Sequence, residues 1–291
     1  MKNADTAVDY VIYLDSFALS LKVEGLRPHT ISCYLRDVRR LGECSGWVTP
    51  ASLTAKHVRN YIEWLSGRVA APTVTAAQLG IRRFFRFLVD EGEIKSDPSA
   101  KIKLVRFRVA PQPTYSPSEI SQIVRTCDLS TANGVRDRAI ITVLFDTGVR
   151  VGELVSMGMP DWVSHTATVD GKTGVRVVPL GDTAFAEIQR YQRRWKLSES
   201  YLWRGKKGKL NESGVFQMVR RVCVKAGVEF KGVHAFRRAA AAQMKRLGMN
   251  DSDIIEVLGW KDVTMLRRYT AAVAGELAQA AHSRFSPADA L

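Results

Sequence analysis

The chain has 291 residues, enough for two domains of ordinary size, and 46% of them are hydrophobic, so a sizeable core can be buried. Lys and Arg outnumber Asp and Glu by 43 to 29, a formal net charge of +14, which favours a polyanionic partner whose condensed counterions are released when its phosphates are neutralised. No apolar run is long enough to span a bilayer, and the opening MKNADTAVDY is too polar for a signal segment, so a cytoplasmic protein with no membrane partner is expected.

The first hundred residues carry helical periodicity. From Val8 to Glu24, Val11, Leu14, Phe17, Ala18 and Leu21 share one face. A second helix opens after Pro28, with Thr30 as its expected N-cap. Its apolar stripe is Ile31, Tyr34, Leu35, Val38 and Leu41, and Arg36, Arg39 and Arg40 lie mostly off it. A third helix turns Val58, Tyr61, Ile62 and Leu65 inward and ends at Gly67. A fourth runs from Thr75 to Glu91, with Leu79, Phe84, Phe85 and Leu88 as core candidates. Arg82, Arg83 and Arg86 cluster on it. A solvated face would look the same, but the six arginines of the second and fourth helices also suit contact with a phosphate backbone.

The texture then changes. KIKLVRFRVAPQPTYSP, residues 101–117, is basic, has no acid, and places prolines at 111, 113 and 117, which disfavours a helix. Residues 106–117 are therefore expected to form an extended linker, free to track a phosphate backbone, between a helical domain at 1–105 and a second domain at 118–291. Both domains are basic. The second is expected to open with Ser118 as an N-cap and Glu119 in the first turn. Arg136 to Phe145 reads as a buried helix ending near Gly148. TATVDGKTGVRVVPL, residues 166–180, reads as a hairpin and is the only convincing β signal. Helices follow at 183–195, 212–226, 235–247, 252–258 and from 263 onward. After Tyr269, Val273, Leu277 and Ala281 repeat every four residues, an apolar stripe on a tail helix too short to stand alone.

Cys33, Cys44, Cys127 and Cys223 form no C-x-x-C pair, and no His stands at metal-ligand spacing from them. They read as scattered buried thiols in a reducing compartment, and neither a metal nor a cofactor is expected.

Six residues point to chemistry: Arg150 in LFDTGVRVGEL, Lys172 in DGKTGVRVVPL, His234 and Arg237 in HAFRR, Trp260 in LGWKD and Tyr269 in RRYT. Breaking a phosphodiester by direct attack needs an in-line nucleophile, positive donors for the two non-bridging oxygens, and an acid for the departing alkoxide. An arginine fork suits the oxygens, because it binds them bidentately and stays protonated. Gly148 lets a helix end so that Arg150 can project into a cleft, and Glu153 could hold its guanidinium. Lys172 on a tight turn has the reach and the proton of a general acid. His234 and Arg237, three apart at a helix start, share a face where an anion is favoured. Trp260 offers an uncharged N–H, and Tyr269 a phenol flanked by Arg267 and Arg268. Each alone has an ordinary alternative: a surface arginine, a solvated turn lysine, a capping histidine, a core tryptophan, a packed tyrosine.

The ordered set Arg, Lys, His-x-x-Arg, Trp, Tyr resembles the signature of the tyrosine recombinase (phage integrase) family, and the strings around each residue are similar too. VEGLRPHTISCYLRDVRRL and IRRFFRFLVDEGEIKSDP resemble that family's core-binding helices, so the likeness covers nearly the whole chain. Arg238 and Trp260 stand where the family more often has His, and the hairpin is a residue shorter than usual. The resemblance implies a mainly α fold with a small β-hairpin or sheet: a helical, SAM-like core-binding domain and a mixed α+β catalytic domain with a C-terminal tail helix, closing on DNA as a C-shaped clamp. It implies a site-specific DNA recombinase. Tyr269 would form a 3′-phosphotyrosyl bond, Arg150, His234, Arg237 and Trp260 would stabilise the transition state, and Lys172 would protonate the leaving oxygen. No cofactor is implied. The implied partners are double-stranded recombination sites and three further copies of the chain, linked by their tails around a four-way junction. A type IB topoisomerase-like strand transferase and a non-catalytic DNA-binding protein remain as alternatives.

Overall fold

A computed structural model describes residues 2–107, 112–171, 174–195, 201–205 and 208–291. The chain divides into two compact units, Met1–Val109 and Ala110–Leu291. Among the described residues, no helix is long and apolar enough to cross a membrane.

The first unit is four helices: α1 (Lys2–Val23), α2 (Pro28–Cys44), α3 (Ala55–Ser66) and α4 (Ala71–Asp90). Its core is Tyr10, Leu14, Phe17 and Leu21 from α1, Ile31, Val38 and Leu41 from α2, Val58, Tyr61 and Leu65 from α3, and Phe84, Phe85 and Leu88 among others from α4. Two core candidates fall elsewhere. Val11 is 55% exposed and Leu79 is 46% exposed. The inward row of α1 runs 10, 14, 17, 21, which leaves Val11 a residue off the seam. On α4 the inward side is taken by Ala77, Gln78 and Ile81 instead. Helix α2 starts earlier than expected, at Pro28 with Arg27 in the N-cap position. Proline at N1 supplies a preset φ and has no N–H to satisfy, so Thr30 already lies inside the first turn.

The segment after α4 is bound rather than free at its start. The buried Gln78 donates to Lys103 O at 3.1 Å and accepts from the Val105 amide at 2.8 Å. Thr75 donates to Val105 O at 2.9 Å, and Arg82 donates to Ile102 O. Residues 108–111 of the expected linker lie outside the described residues. Its last part is packed into the second unit: Tyr115 is 1% exposed and its hydroxyl accepts from the Lys231 amide at 2.9 Å.

The second unit begins with α5 (Pro117–Arg125), α6 (Ala132–Thr147) and α7 (Val151–Ser156). The cap of α5 is Ser116, not Ser118. Its hydroxyl accepts from the Glu119 amide while Glu119 accepts from the Ser116 amide, a reciprocal box closed around Pro117 at N1. Helix α6 starts four residues before Arg136, because Thr131 caps it through the Gly134 amide at 3.0 Å. It is buried on nearly every side, with Ala139, Ile140, Ile141 and Val143 fully enclosed. The expected hairpin follows, β1 (Thr166–Gly171) antiparallel to β2 (Gly174–Pro179), with Gly171 opposite Gly174 at its last pair. Then come α8 (Asp182–Trp195), which packs on α6, and a second antiparallel pair, β3 (Arg204–Gly205) with β4 (Gly208–Lys209). That pair was not expected; two residues per strand are too few for alternation to show. The remaining helices are α9 (Glu212–Lys225), α10 (His234–Arg246), α11 (Asp251–Leu258), α12 (Val263–Thr270) and α13 (Ala274–His282). A small satellite core of Ala241, Ile254, Leu258, Trp260 and Leu266 joins α10, α11 and α12.

Of the four cysteines, all free thiols, Cys127 and Cys223 are buried as expected, but Cys33 is half-buried and Cys44 is exposed.

Candidate active site

Two left-handed glycines shape the site. Gly148 ends α6 at φ 58° and Gly259 ends α11 at φ 60°. Only a residue without a Cβ fits either place: at Gly148 a Cβ would come within 2.4 Å of Leu258, and at Gly259 within 2.8 Å of Arg176. The two helix ends thus meet, and Arg237 lies between them. Its guanidinium donates to Gly148 O at 2.7 Å and to Leu258 O, so the carbonyl ends of α6 and α11 converge on one cation. Arg237 is 1% exposed, far more buried than a surface arginine. Burial first, and then the charge of Arg150, pull its pKa down to about 10, which leaves it cationic at neutral pH. Its Nε is buried with no hydrogen-bond partner among the described residues.

Arg150 occupies the N-cap position of α7 and is held twice by Glu153. Its amide donates to Oε2 at 2.8 Å and its guanidinium to Oε1 at 2.7 Å. About a quarter of its side chain stays exposed, whereas Glu153 is 1% exposed. Arg176 on β2 donates to the same carboxylate at 3.0 Å, and Arg237 stands 3.9 Å from it. One buried carboxylate therefore orders three arginines. Burial alone would raise the Glu153 pKa, but the hydrogen bonds from Arg176 and Arg150 outweigh it and hold the carboxyl below its ordinary value.

Trp260 follows the Gly259 turn, with its ring 5.1 Å beneath the Arg237 guanidinium and 5.0 Å from the ring of Tyr269. Its indole N–H is buried without an acceptor among the described residues. Tyr269, near the end of α12, is half-buried against this ring. His234 begins α10 and is exposed in part. The packing around it, followed by the charges of Arg238, Arg237 and Arg150, lowers its pKa, so it is neutral at pH 7. Arg238 donates to Pro113 O at 2.8 Å. Arg150, His234, Arg237, Trp260 and Tyr269, drawn from 120 positions of sequence, are thereby brought together. Lys172 lies outside the described residues. No group of three or more His, Cys, Asp or Glu among the described residues is placed to hold a metal.

The sequence of β2 hid one member. Val175 and Val177 look like core, yet they are 70% and 61% exposed. Arg176 and Val178 take the inward face. The signal that could have found it is the two-residue period shared with Val178.

In the first unit, Arg36 pairs with Asp37 at 3.2 Å, Arg83 with Glu24, and Arg82 with a main-chain carbonyl. The side chains of Arg39, Arg40 and Arg86 make no hydrogen bond or ion pair with another described residue.

A sequence model of the phage integrase family matches residues 114–276. The chain belongs to the phage integrase family. A second model, the N-terminal SAM-like domain of phage integrases, matches residues 13–92. Tyrosine recombinase XerD of Listeria monocytogenes serotype 4b (strain F2365) is 26% identical over 277 residues, covering 88% of this chain and 93% of the relative. A solved lambda integrase dimer bound to a COC′ core site superposes with TM-score 0.75 at 19% identity, covering 88% of this chain and 75% of that one. A lambda integrase tetramer bound to a Holliday junction superposes with TM-score 0.74 at 19% identity, covering 88% and 76%. The chain is mainly helical, and its SAM-like N-terminal segment precedes the segment that matches the phage integrase family.

Proposed function

We propose that the chain is a site-specific DNA recombinase that cleaves and rejoins strands through Tyr269. The observation that carries the reading is the stack of Arg237, Trp260 and Tyr269, set beside Arg150 through the shared carboxylate of Glu153. It joins a nucleophile to fixed cationic donors. Membership of a tyrosine recombinase family favours this reading over a topoisomerase-like or silent DNA-binding one.

In the proposed reaction Tyr269 gives up its phenolic proton to water and its oxygen attacks the scissile phosphorus as the bond from phosphorus to the 5′ oxygen breaks. The phosphate stays joined to the 3′ side as a phosphotyrosyl ester, and the bond energy is retained for rejoining. Arg150 and Arg237, helped by His234 and the unpartnered Trp260 N–H, face the charge that grows on the non-bridging oxygens; such fixed donors contribute roughly 10²–10³ in rate each. Lys172 gives its proton to the departing 5′ oxygen, a role that rests on its place in the family motif. The exposed Arg36, Arg39 and Arg86, with the half-buried Arg40, Arg82 and Arg83 beside them, would contact the DNA backbone.

Four protomers would join two sites around a four-way junction, as the tetramer state of lambda integrase on a Holliday junction suggests. The tail would link them. Helix α13 has no buried residue, and its recorded ion pair within the chain is Arg246 with Glu276 at 2.8 Å. Val273 of the apolar stripe is buried in its own chain, but Leu277 and Ala281 on α13 stay half-exposed, which supports docking on a neighbour.

The test is covalent capture. A nicked duplex that traps the cleaved strand should become linked to the protein at Tyr269, and Tyr269→Phe should bind the same duplex without forming the adduct. A Phe variant that still forms it removes Tyr269 from its role.

A further inference from the structure

The β1–β2 hairpin is a two-stranded ribbon with an exposed outer face, a unit that is only marginally stable by itself. Contacts with the body of the second unit must therefore hold its strands. Three are present. Ser156 of α7 donates to Asp170 O at 2.7 Å and accepts from the Asp170 amide at 2.9 Å. Gly171 lies against Glu153 so closely that a Cβ there would come within 2.7 Å of Glu153 Cγ. Arg176 donates to Glu153 at 3.0 Å and to Val257 O at 2.7 Å. Arg176 thus ties β2 to α7 and to the end of α11, three residues before Trp260. It is four residues after Lys172, on the strand that leaves the turn.

We infer that Arg176 is a positioning residue for Lys172: it anchors the hairpin strands to the Glu153 carboxylate and the end of α11, and protonation of the leaving oxygen depends on that anchor. The inference rests on the recombinase reading. A buried ion pair is a weak device for stability alone, since apolar residues of like volume often serve as well. An arginine fork spanning a carboxylate and a main-chain carbonyl fixes geometry, and a 1 Å misplacement of a reacting group costs roughly a hundredfold in rate.

The test uses the full chain and a nicked duplex selected by covalent capture of the wild-type protein from a random-sequence pool. Cleavage is measured on the ordinary phosphate and on a 5′-bridging phosphorothiolate, whose sulfur leaving group needs little protonation. Arg176→Met should cleave ordinary DNA roughly a hundredfold more slowly and recover most of that loss on the sulfur substrate. Arg176→Lys keeps a cation beside Glu153 but cannot span both acceptors. It should lose less and show the same recovery, which separates positioning from misfolding. On ordinary DNA, Arg176→Met combined with Lys172→Ala should be no slower than Lys172→Ala alone. Wild-type rates for Arg176→Met, or equal losses on both substrates, overturn the inference while leaving the recombinase reading intact. Failure of the wild type to form any adduct removes that reading, and the inference with it.

Discussion

The indole of Trp260 lies between Arg237 and Tyr269: its ring centroid is 5.1 Å from the guanidinium carbon and 5.0 Å from the phenol ring. The tryptophan therefore has two separable jobs, a packing surface and an N–H donor. Trp260→Phe keeps the first and loses the second, whereas Trp260→Ala loses both. Cleavage should fall by about 10²-fold in the Phe variant and further in the Ala variant. Single-turnover rates with equal losses in the two variants would mean that the N–H is not used.

Glu153 is the shared anion of the site. Glu153→Gln leaves three arginines without their carboxylate, and breaking a buried pair costs on the order of 3–5 kcal/mol. Thermal unfolding should show that loss at neutral pH. The pH dependence follows from the lowered carboxyl pKa. Its stabilisation is fully present above the unfolded value of about 4.3 and fades as pH falls through the lower folded value. The gap in melting temperature between wild type and variant should therefore be constant from neutral pH to about 5 and should close in stronger acid. A gap that closes between pH 8 and 6 would contradict the assignment.

In the proposed reaction Arg150 and Arg237 supply the positive charge that many phosphoryl-transfer sites take from a metal ion. Cleavage in excess EDTA should then proceed at an undiminished rate. A strict requirement for added Mg²⁺ in the chemical step would count against the proposed chemistry.

Lys172→Ala should slow cleavage of ordinary DNA by about 10²–10⁴-fold and matter little on a 5′-bridging phosphorothiolate. Equal losses on both substrates would make Lys172 a phosphate-binding group and leave the acid to another residue.

Truncation after Thr270 removes α13, which buries no side chain of its own. Single-site DNA binding should persist while synapsis and strand exchange are lost. A truncated protein that recombines two sites at the full-length rate would show that the tail has no part in assembly.

Sequence alone determined the helices and the order of the candidate motif, because both are local patterns. A 3.6-residue apolar period marks α1 to α4, and glycine followed by a projecting side chain marks Gly148–Arg150 and Gly259–Trp260. Cap positions slipped where a proline at N1 moved the start, at Arg27 and Ser116. Tertiary structure decided the rest. That Arg237 is sealed between the ends of α6 and α11, and that Arg176 joins Arg150 on Glu153, depends on elements more than twenty residues apart meeting in space. No local period encodes that meeting. The inward turn of Arg176 ran against the pattern of its own strand, where two exposed valines flank a half-buried cation. A strand's alternation shows which residues share a face but not which face is buried; here the carboxylate of Glu153 and the carbonyl of Val257 drew the arginine inward and left the valines in solvent.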